Sequence, residues 1–226
     1  MAVDPEYATA MAASAAASTS EHPEPAHVGT RLRAQRESLG LTLREVARRI
    51  GVSPSLISQI ERDKVNPSVS TLYALVRELG LSMGDLFEVD GASTPSNRAA
   101  AGAGAGPVVG HDSRVVINLA SGVTWERLTQ MSDPGVEFLY VVYEPGSESC
   151  PEDSLVHHGG KEYGYVISGR QGVRIAFDEH ILGPGDSVSF DSSAPHRLWA
   201  VGDERVTAIW VVVGRQSDTR VLPGEP

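Results

Sequence analysis

The sequence predicts two domains of different class, a small all-helical domain followed by an all-β sandwich or small barrel. Apolar residues recur with helical spacing between Val28 and Val89. Beyond residue 112 the chain changes to short β-branched and aromatic runs that Pro and Gly turns separate. A stretch rich in Gly, Ala, Ser and Pro, Gly91–Pro107, is typical of a flexible linker. The predicted segments are a disordered arm (1–27), the helical domain (28–89), the linker (90–112), the β domain (113–214) and a C-terminal tail (215–226).

Composition favours a globular cytoplasmic protein. The chain has 226 residues, 41% of them hydrophobic, which is enough for one large core or two small ones. Its single cysteine, Cys150, excludes an intrachain disulfide and fits a reducing cytosol. The first twenty residues contain Asp4 and Glu6 but neither Lys nor Arg, and no apolar run approaches the length that crosses a membrane. We therefore expect no secretory signal and no membrane partner.

Charge is distributed unevenly between the two domains. The formal net charge of −10, taken alone, argues against nucleic acid as a partner. Residues 28–89, however, contain nine Arg or Lys and seven Asp or Glu, a local charge of +2 that leaves −12 on the remainder. Because DNA phosphates repel the acidic remainder, we expect any DNA contact to come from the helical domain.

Capping residues predict where the second and third helices begin and end. Thr42 and Glu45 have the spacing of a capping box. Gly51 then ends the helix in the left-handed conformation that glycine adopts at low cost. Ser53 caps the next helix, and Pro54 stands at its first position, where a missing N–H costs nothing.

Two further helices complete a predicted set of five. Ser68 or Ser70 starts a fourth helix, whose apolar stripe closes at Gly80. Ser82 and Asp85 begin a short fifth.

The third helix carries the residues that favour DNA binding. Ile57 and Ile60 face inward, which leaves Ser55, Ser58 and Gln59 on its outer face. Two short helices that are joined by a glycine-containing turn, the second with an exposed row of small polar side chains, are typical of a helix-turn-helix. Ser and Gln side chains can hydrogen bond to base edges in the major groove without steric bulk.

The stretch LTLREVARRIGVSPSLISQIERDKVNPSVSTL closely resembles the phage-repressor (XRE) class of helix-turn-helix domain, and the resemblance covers about sixty residues. It implies that four side chains lie at the major groove, namely Pro54, Ser55, Ser58 and Gln59. It implies that four others lie near phosphates, namely Thr42, Arg44, Lys64 and Asn66. It also implies an ion pair between Arg36 and Glu61 that braces the first helix against the third. Each polar residue alone would fit a solvated helix face, whereas all of them in one register favour DNA.

The β domain resembles a small cupin barrel, and more narrowly the cupin that follows an XRE domain in bacterial regulators. Its strand-like runs are RVVINL, TWERLT, EFLYVVYE, YGYVIS, VRIAF, DSVSF and RVTAIWVVV. In the stretch HHGGKEYGYVISG, the spacing of His158, Glu162 and Gly169 fits the first cupin motif. The second motif is matched by GPGD, residues 183–186, and by His196.

The chain departs from the cupin pattern at the first histidine, whose place is taken by Val156. Side chains alternate faces along a strand, so Val156 and His158 point one way and His157 the other. In a regular strand, the interior set is therefore His158, Glu162 and His196. A bulge at the two glycines after His158 would be the route by which His157 turned inward.

Three uses of this set remain open. Two imidazoles and one carboxylate suit a divalent metal such as Zn, Fe, Mn or Ni. The same groups could hydrogen bond to a small polar effector, the imidazoles donating and the carboxylate accepting. The barrel could also serve only for dimerisation. We rank binding of an organic effector without a tightly bound metal first, a metal site second, and a barrel that serves only for dimerisation third.

Aromatic residues of the β domain are predicted to be structural. Tyr163 and Tyr165 are expected on the barrel's other face, and Trp199 and Trp210 at core or sheet-packing positions. Trp125 is expected at the rim of the cavity.

These patterns predict a homodimeric transcriptional regulator, not an enzyme. Each helix-turn-helix domain alone should bind DNA weakly, and linking two of them in a dimer raises their effective concentration. A dimer would require a roughly palindromic operator in double-stranded DNA, with half-sites about 34 Å apart or a multiple of it. The cupin would bind a small-molecule effector. The alternatives are a metal-dependent cupin enzyme, such as a dioxygenase or isomerase, that is tethered to a DNA module, and a constitutive repressor with the cupin only as a dimerisation platform.

Overall fold

The helical domain contains five α-helices within the part of the chain that the structure describes. The structure is a computed structural model, and it describes residues 26–87, 107–130, 133 and 135–215. The helices are α1 (Val28–Ser38), α2 (Leu43–Ile50), α3 (Pro54–Ile60), α4 (Val69–Leu79) and α5 (Met83–Leu86). The predicted arm up to residue 25, the linker residues 90–106 and the tail from residue 216 lie outside the described residues.

The helices begin at the predicted caps. The Thr42 hydroxyl accepts from the Glu45 backbone N–H, and the Glu45 carboxylate accepts from the Thr42 N–H, which completes the capping box of α2. Ser53 caps α3 through the backbone N–H of its third residue. Ser68, and not Ser70, caps α4 in the same way. Each cap is worth about 1 kcal/mol, so these local signals stabilise the helix boundaries substantially.

The apolar stripes of α1 to α4 form the core of the helical domain. Leu32, Val46, Ile57, Leu72 and Leu75 are each no more than 1% exposed. Burial of one such side chain contributes about 1.5–3 kcal/mol, which is why short helices that would be marginal alone are stable here.

The β domain is built from nine antiparallel strands in two sheets. One sheet has the order β1-β2-β3-β9-β4-β7 and the other the order β6-β5-β8. The strands are β1 (Val116–Asn118), β2 (Val123–Arg127), β3 (Val136–Tyr143), β4 (Lys161–Ser168), β5 (Gln171–Ile175), β6 (Asp178–Leu182), β7 (Ser187–Asp191), β8 (His196–Ala200) and β9 (Val206–Val213).

All seven predicted runs contain a strand, and the structure adds β6 and β8. The sequence of β6, DEHIL, has three charged or imidazole side chains and lies at a sheet edge with mostly exposed residues. It therefore lacks the apolar alternation that predicts a strand. Strand β8 starts at His196, which was predicted as a site residue and not as part of a strand.

The helical domain contacts the β domain directly. The Ala120 N–H donates to the Pro67 carbonyl at 2.9 Å, and Ala26, which falls in the segment predicted as a disordered arm, donates its N–H to the Val116 carbonyl at 2.8 Å. The ring of Tyr73 from α4 packs on Trp125 of β2 with centroids 5.6 Å apart. Helix α4 therefore lies against the β domain.

Among the described residues, no helix is both long enough and apolar enough to cross a membrane.

Candidate functional site

The exposed face of α3 presents the residues that were predicted at the major groove. Pro54 and Ser55 are exposed, and Ser58 and Gln59 are half-buried. The Gln59 amide donates to the Ser55 hydroxyl at 3.4 Å, so the two side chains lie on one face, one turn apart. Gly51, with φ 75°, makes the turn that sets α3 across α2.

The residues predicted near phosphates lie at the two ends of the helix-turn-helix formed by α2 and α3. Thr42 and Arg44 are exposed at the start of α2, and Lys64 and Asn66 are exposed in the loop after α3. The Lys64 N–H donates to the Gln59 carbonyl at 2.9 Å, which fixes this loop to the end of α3. The geometry is compatible with groove contacts from α3 and backbone contacts on both sides.

The predicted brace between α1 and the end of α3 is confirmed. Arg36 donates to both carboxylate oxygens of Glu61, at 2.6 Å from Nε and 2.9 Å from Nη2. Both residues are buried, and Arg36 Nη1 also donates to the Leu41 carbonyl at 2.8 Å. Since every group of the pair has a partner, its function is structural: it holds the angle of α3.

The β domain brings His158, Glu162 and His196 together, as parity predicts. His158 lies in the loop before β4, Glu162 is the second residue of β4, and His196 is the first residue of β8. Oε1 of Glu162 lies 2.8 Å from Nε2 of His158 and 3.2 Å from Nε2 of His196. The neighbouring His157 is exposed, in agreement with its predicted place outside the set.

Backbone carbonyls determine which nitrogen of each imidazole is free. Nδ1 of His158 lies 3.0 Å from the Gly159 carbonyl, and Nδ1 of His196 lies 2.9 Å from the Ala194 carbonyl. Because a carbonyl oxygen only accepts, each Nδ1 must carry its proton. In the neutral rings, each Nε2 therefore carries a lone pair and no proton, and both Nε2 atoms lie beside Oε1 of Glu162.

Glu162 is a buried carboxylate with one satisfied oxygen. It is 3% exposed, and its Oε2 accepts from the indole N–H of Trp210 at 2.6 Å. Its Oε1 has no hydrogen-bond donor among the described residues. Burial by itself raises the pKa of Glu162, whereas hydrogen bonds and positive charge, which His158 and His196 supply only when a ring carries a second proton, lower that pKa below its usual value.

The donor set fits a divalent cation. The three ligand atoms lie within 4.8 Å of one another. Atoms that are bound about 2.1 Å from one ion lie about 3 Å apart when their bonds meet near a right angle, so the two measured separations suit adjacent ligands. The unpartnered Oε1 can be satisfied either by a second proton on an imidazole or by a cation between the three atoms. A metal held there would supply a positive charge that polarises a bound oxygen ligand.

The indole of Trp210 can reach Glu162 because residue 164 is glycine. A Cβ at Gly164 would lie 2.2 Å from the Trp210 ring, so any larger residue would displace it. Trp210 was predicted only as a packing residue, and sequence reasoning missed its hydrogen bond. The signal that could have revealed it is the register, since Gly164 and Trp210 are cross-strand neighbours in β4 and β9.

Three more residues at the site were missed because they come from distant parts of the chain. Tyr73 of α4 lies with its ring centroid 5.3 Å from that of His158. Arg215, which follows β9, donates to His158 Nε2 at 2.8 Å and to both oxygens of Glu137 at 3.0 Å. No motif spacing links these positions, and Arg215 falls in the segment predicted as a tail.

Two spaces adjoin this cluster. A cavity of about 690 Å³ lies between the domains and is lined by α4, α5 and the segments before β3 and β4. It includes Arg77, Glu137 and His158. A much smaller space inside the barrel is lined by Glu162, His196 and Trp210 and is bounded by Tyr73. Tyr73 lines both spaces, so the helical domain forms part of the wall of the candidate ligand site.

Family models and known proteins match both domains. The helix-turn-helix model matches residues 32–86, and the cupin domain model matches residues 139–212. The chain is 29% identical to the HTH-type transcriptional regulator PuuR of Escherichia coli over 171 residues, which cover 74% of this chain and 84% of PuuR. The helical domain is 41% identical over 56 residues to the immunity repressor protein of Bacillus phage phi105, a match to 25% of this chain and 39% of the repressor.

Fold similarity extends over most of the chain. The crystal structure of an HTH_3 family transcriptional regulator from Vibrio cholerae superposes with a TM-score of 0.57 at 24% identity and covers 84% of this chain and 97% of that one. The chain thus carries an XRE-type helix-turn-helix domain followed by a C-terminal cupin domain, and it is homologous to the regulator PuuR.

Proposed function

We propose that this protein is a homodimeric, sequence-specific DNA-binding regulator whose cupin domain senses a small ligand or a divalent cation at His158, Glu162 and His196. The observation that carries the DNA-binding part is the polar outer face of α3, which Arg36 and Glu61 hold rigidly at the end of a positively charged domain. A cytoplasmic location follows from this function and fits the single buried thiol of Cys150.

DNA selection tests this proposal directly. The full chain is incubated with random-sequence duplexes, and bound fragments are recovered and sequenced. We expect a roughly palindromic motif whose half-sites are separated by about one helical turn, ~34 Å, or a multiple of it. Recovery of DNA without any enriched motif would contradict sequence-specific binding.

An exposed apolar sheet face supports the second half of the proposal, a dimer formed through the cupin. Tyr163, Tyr165 and Ile167 project from the outer face of β4 and are 44–50% exposed. Tyr163 is in register with Val211 of β9, which is itself in register with Phe138 of β3. A strand such as VTAIWVVV that is apolar on both faces is typical of a sheet covered on both sides. Tyr163 and Tyr165 thus lie on the outer face, as expected, and we propose that a second copy of the chain covers them.

Light scattering with a charge substitution tests this face. Tyr165→Asp places a carboxylate in the centre of the patch and is expected to give a monomer at concentrations where the wild type is a dimer. Phe177→Asp is the matched control, because Phe177 is 93% exposed at the β5–β6 turn, outside the patch. A dimeric Tyr165→Asp protein would exclude this face as the interface.

Regulation is favoured over catalysis by the regulator relatives and by the contact between the site and the helical domain. The helical domain supplies Tyr73 to the wall, so occupancy of the site can change how the DNA-binding head is held. Elemental analysis of the purified protein distinguishes sensing of an organic ligand from sensing of a metal, since a near-stoichiometric metal content would favour the latter.

A further inference from the structure

Arg215 connects the candidate cation site to the DNA-binding domain. Its Nη2 donates to Nε2 of His158 at 2.8 Å and to the hydroxyl oxygen of Tyr73 at 3.1 Å. Its guanidinium carbon also lies 4.4 Å from the centroid of the Tyr73 ring. The guanidinium of Arg215 therefore contacts both His158 of the candidate cation site and Tyr73 of helix α4.

The position of Arg215 is fixed by a second buried charge. Its Nη1 donates to both oxygens of Glu137 at 3.0 Å, and both side chains are only 13% exposed. Burial raises the pKa of Glu137, and the positive charge of Arg215 opposes that change. Because a buried charge without a partner is costly, the pair holds the guanidinium beside His158.

Arg215 occupies a lone pair that a metal would need. With Nδ1 of His158 donating to the Gly159 carbonyl, Nε2 has one lone pair, and that lone pair accepts from Arg215. The same nitrogen cannot accept from a guanidinium and coordinate a metal at once. A divalent cation at His158, Glu162 and His196 would therefore have to displace Arg215 from His158.

We propose that Arg215 is an internal cation that competes with a divalent metal for His158, and that this competition is transmitted to the DNA-binding domain through Tyr73. In the absence of metal, Arg215 links His158, Glu137 and Tyr73 and fixes α4 against the barrel. Metal binding breaks the Arg215–His158 contact and changes the contacts of Arg215 with Tyr73. By thermodynamic reciprocity, DNA that favours one position of α4 changes metal affinity by the same factor. This inference rests on the proposed function in two respects, cation binding at His158, Glu162 and His196 and DNA binding, and the two experiments below test them separately.

A Co²⁺ titration tests the competition independently of DNA. Binding is followed by the visible absorption of Co²⁺ in the full chain. The test variant is Arg215→Met combined with Glu137→Gln, so that no buried carboxylate is left without a partner. Arg205→Met is the control, since Arg205 pairs with Glu144 in an exposed position.

We expect the double variant to bind Co²⁺ at least about tenfold more tightly than the wild type, and Arg205→Met to bind it as the wild type does. Equal or weaker Co²⁺ affinity in the double variant overturns the competition, as does failure of both proteins to bind Co²⁺. Circular dichroism verifies that the variants are folded. If the double variant does not fold, the single variant Glu137→Gln, which retains Arg215, replaces it in the titration. Loss of its partner frees Arg215, so Glu137→Gln is also expected to bind Co²⁺ more tightly, and unchanged affinity would count against the proposal.

Operator binding with and without Co²⁺ tests the transmission. We expect saturating Co²⁺ to change the operator affinity of the wild type by about fivefold or more, the usual size of an allosteric coupling. Tyr73→Phe, which loses only the hydroxyl contact with Arg215, is expected to reduce this change, and Tyr73→Ala to remove it while Co²⁺ still binds. A full Co²⁺ effect in both Tyr73 variants, or none in the wild type, overturns the transmission. Lack of any operator binding refutes the proposed function instead and leaves the Co²⁺ competition standing.

Discussion

Two buried carboxylates, one in each domain, differ in how completely they are satisfied. Glu61 is 7% exposed and receives two hydrogen bonds from Arg36, so its charge is fully compensated. Glu162 is 3% exposed, but only one of its oxygens has a hydrogen-bond donor among the described residues, the indole of Trp210. A closed pair stabilises a fold, whereas a carboxylate with an unpartnered oxygen beside two imidazole nitrogens can bind a cation or a ligand.

The largest expected effect follows from breaking the closed pair. Arg36→Ala leaves Glu61 buried without a partner and is expected to destabilise the helical domain by about 3–5 kcal/mol. Urea unfolding followed by the helical circular dichroism signal measures this loss, because all the α-helices among the described residues lie in that domain.

Arg33→Ala is the matched control for this experiment. Arg33 pairs with Glu37 in a position where both side chains are more than half exposed, so its loss should leave the unfolding midpoint unchanged. A similar midpoint for Arg36→Ala and Arg33→Ala would show that the buried pair has no special structural role.

For the open carboxylate, Glu162, we expect the opposite result. Substitutions beside it should remove the response of DNA binding to the ligand while the fold stays stable. His196→Ala removes the imidazole nitrogen that lies 3.2 Å from Oε1 of Glu162 and is expected to abolish the response of DNA binding to metal or effector. Operator affinity without ligand should stay as in the wild type, since His196 lies in the β domain, away from α3. Retained ligand sensitivity in this variant would move the sensing site elsewhere.

The same contrast explains how much of each domain the sequence could predict. Helix boundaries depend on residues within one turn, so Thr42 with Glu45 and Ser53 with Pro54 predict α2 and α3 correctly. The Arg36–Glu61 brace spans 25 positions, and only the resemblance to phage repressors predicted it.

In the β domain, the prediction that His158 and Glu162 lie at one site and His157 does not is correct, but its premise of a regular strand is not, because His158 lies in the loop before β4. Partners that come from other strands or from the other domain could not be predicted. Tyr73 lies 85 positions before His158, and Arg215 lies 57 positions after it. Their meeting depends on how the two domains pack, and neither residue belongs to a motif.

A smaller expected effect concerns base recognition by the rigidly held α3. Gln59→Ala removes the amide at the groove and is expected to weaken operator binding by about 1–3 kcal/mol, the usual value of one good base contact. Binding to random DNA should change little, because such binding depends on phosphate contacts. An equal loss on both DNAs, measured by fluorescence anisotropy, would mean that Gln59 does not contact bases.

The smallest expected effect concerns charge outside the groove. Lys64→Ala removes one exposed cation next to the end of α3 and is expected to weaken binding to operator and random DNA alike. Each phosphate contact releases about one counterion, so the slope of log affinity against log salt should become shallower by about 0.9. Lys161→Ala provides the control, because the chain's other lysine is equally exposed but lies on β4 of the acidic domain. If Lys64→Ala leaves the slope unchanged, Lys64 does not contact a phosphate. If Lys161→Ala alters the slope by the same amount as Lys64→Ala, phosphate contacts are not confined to the helical domain.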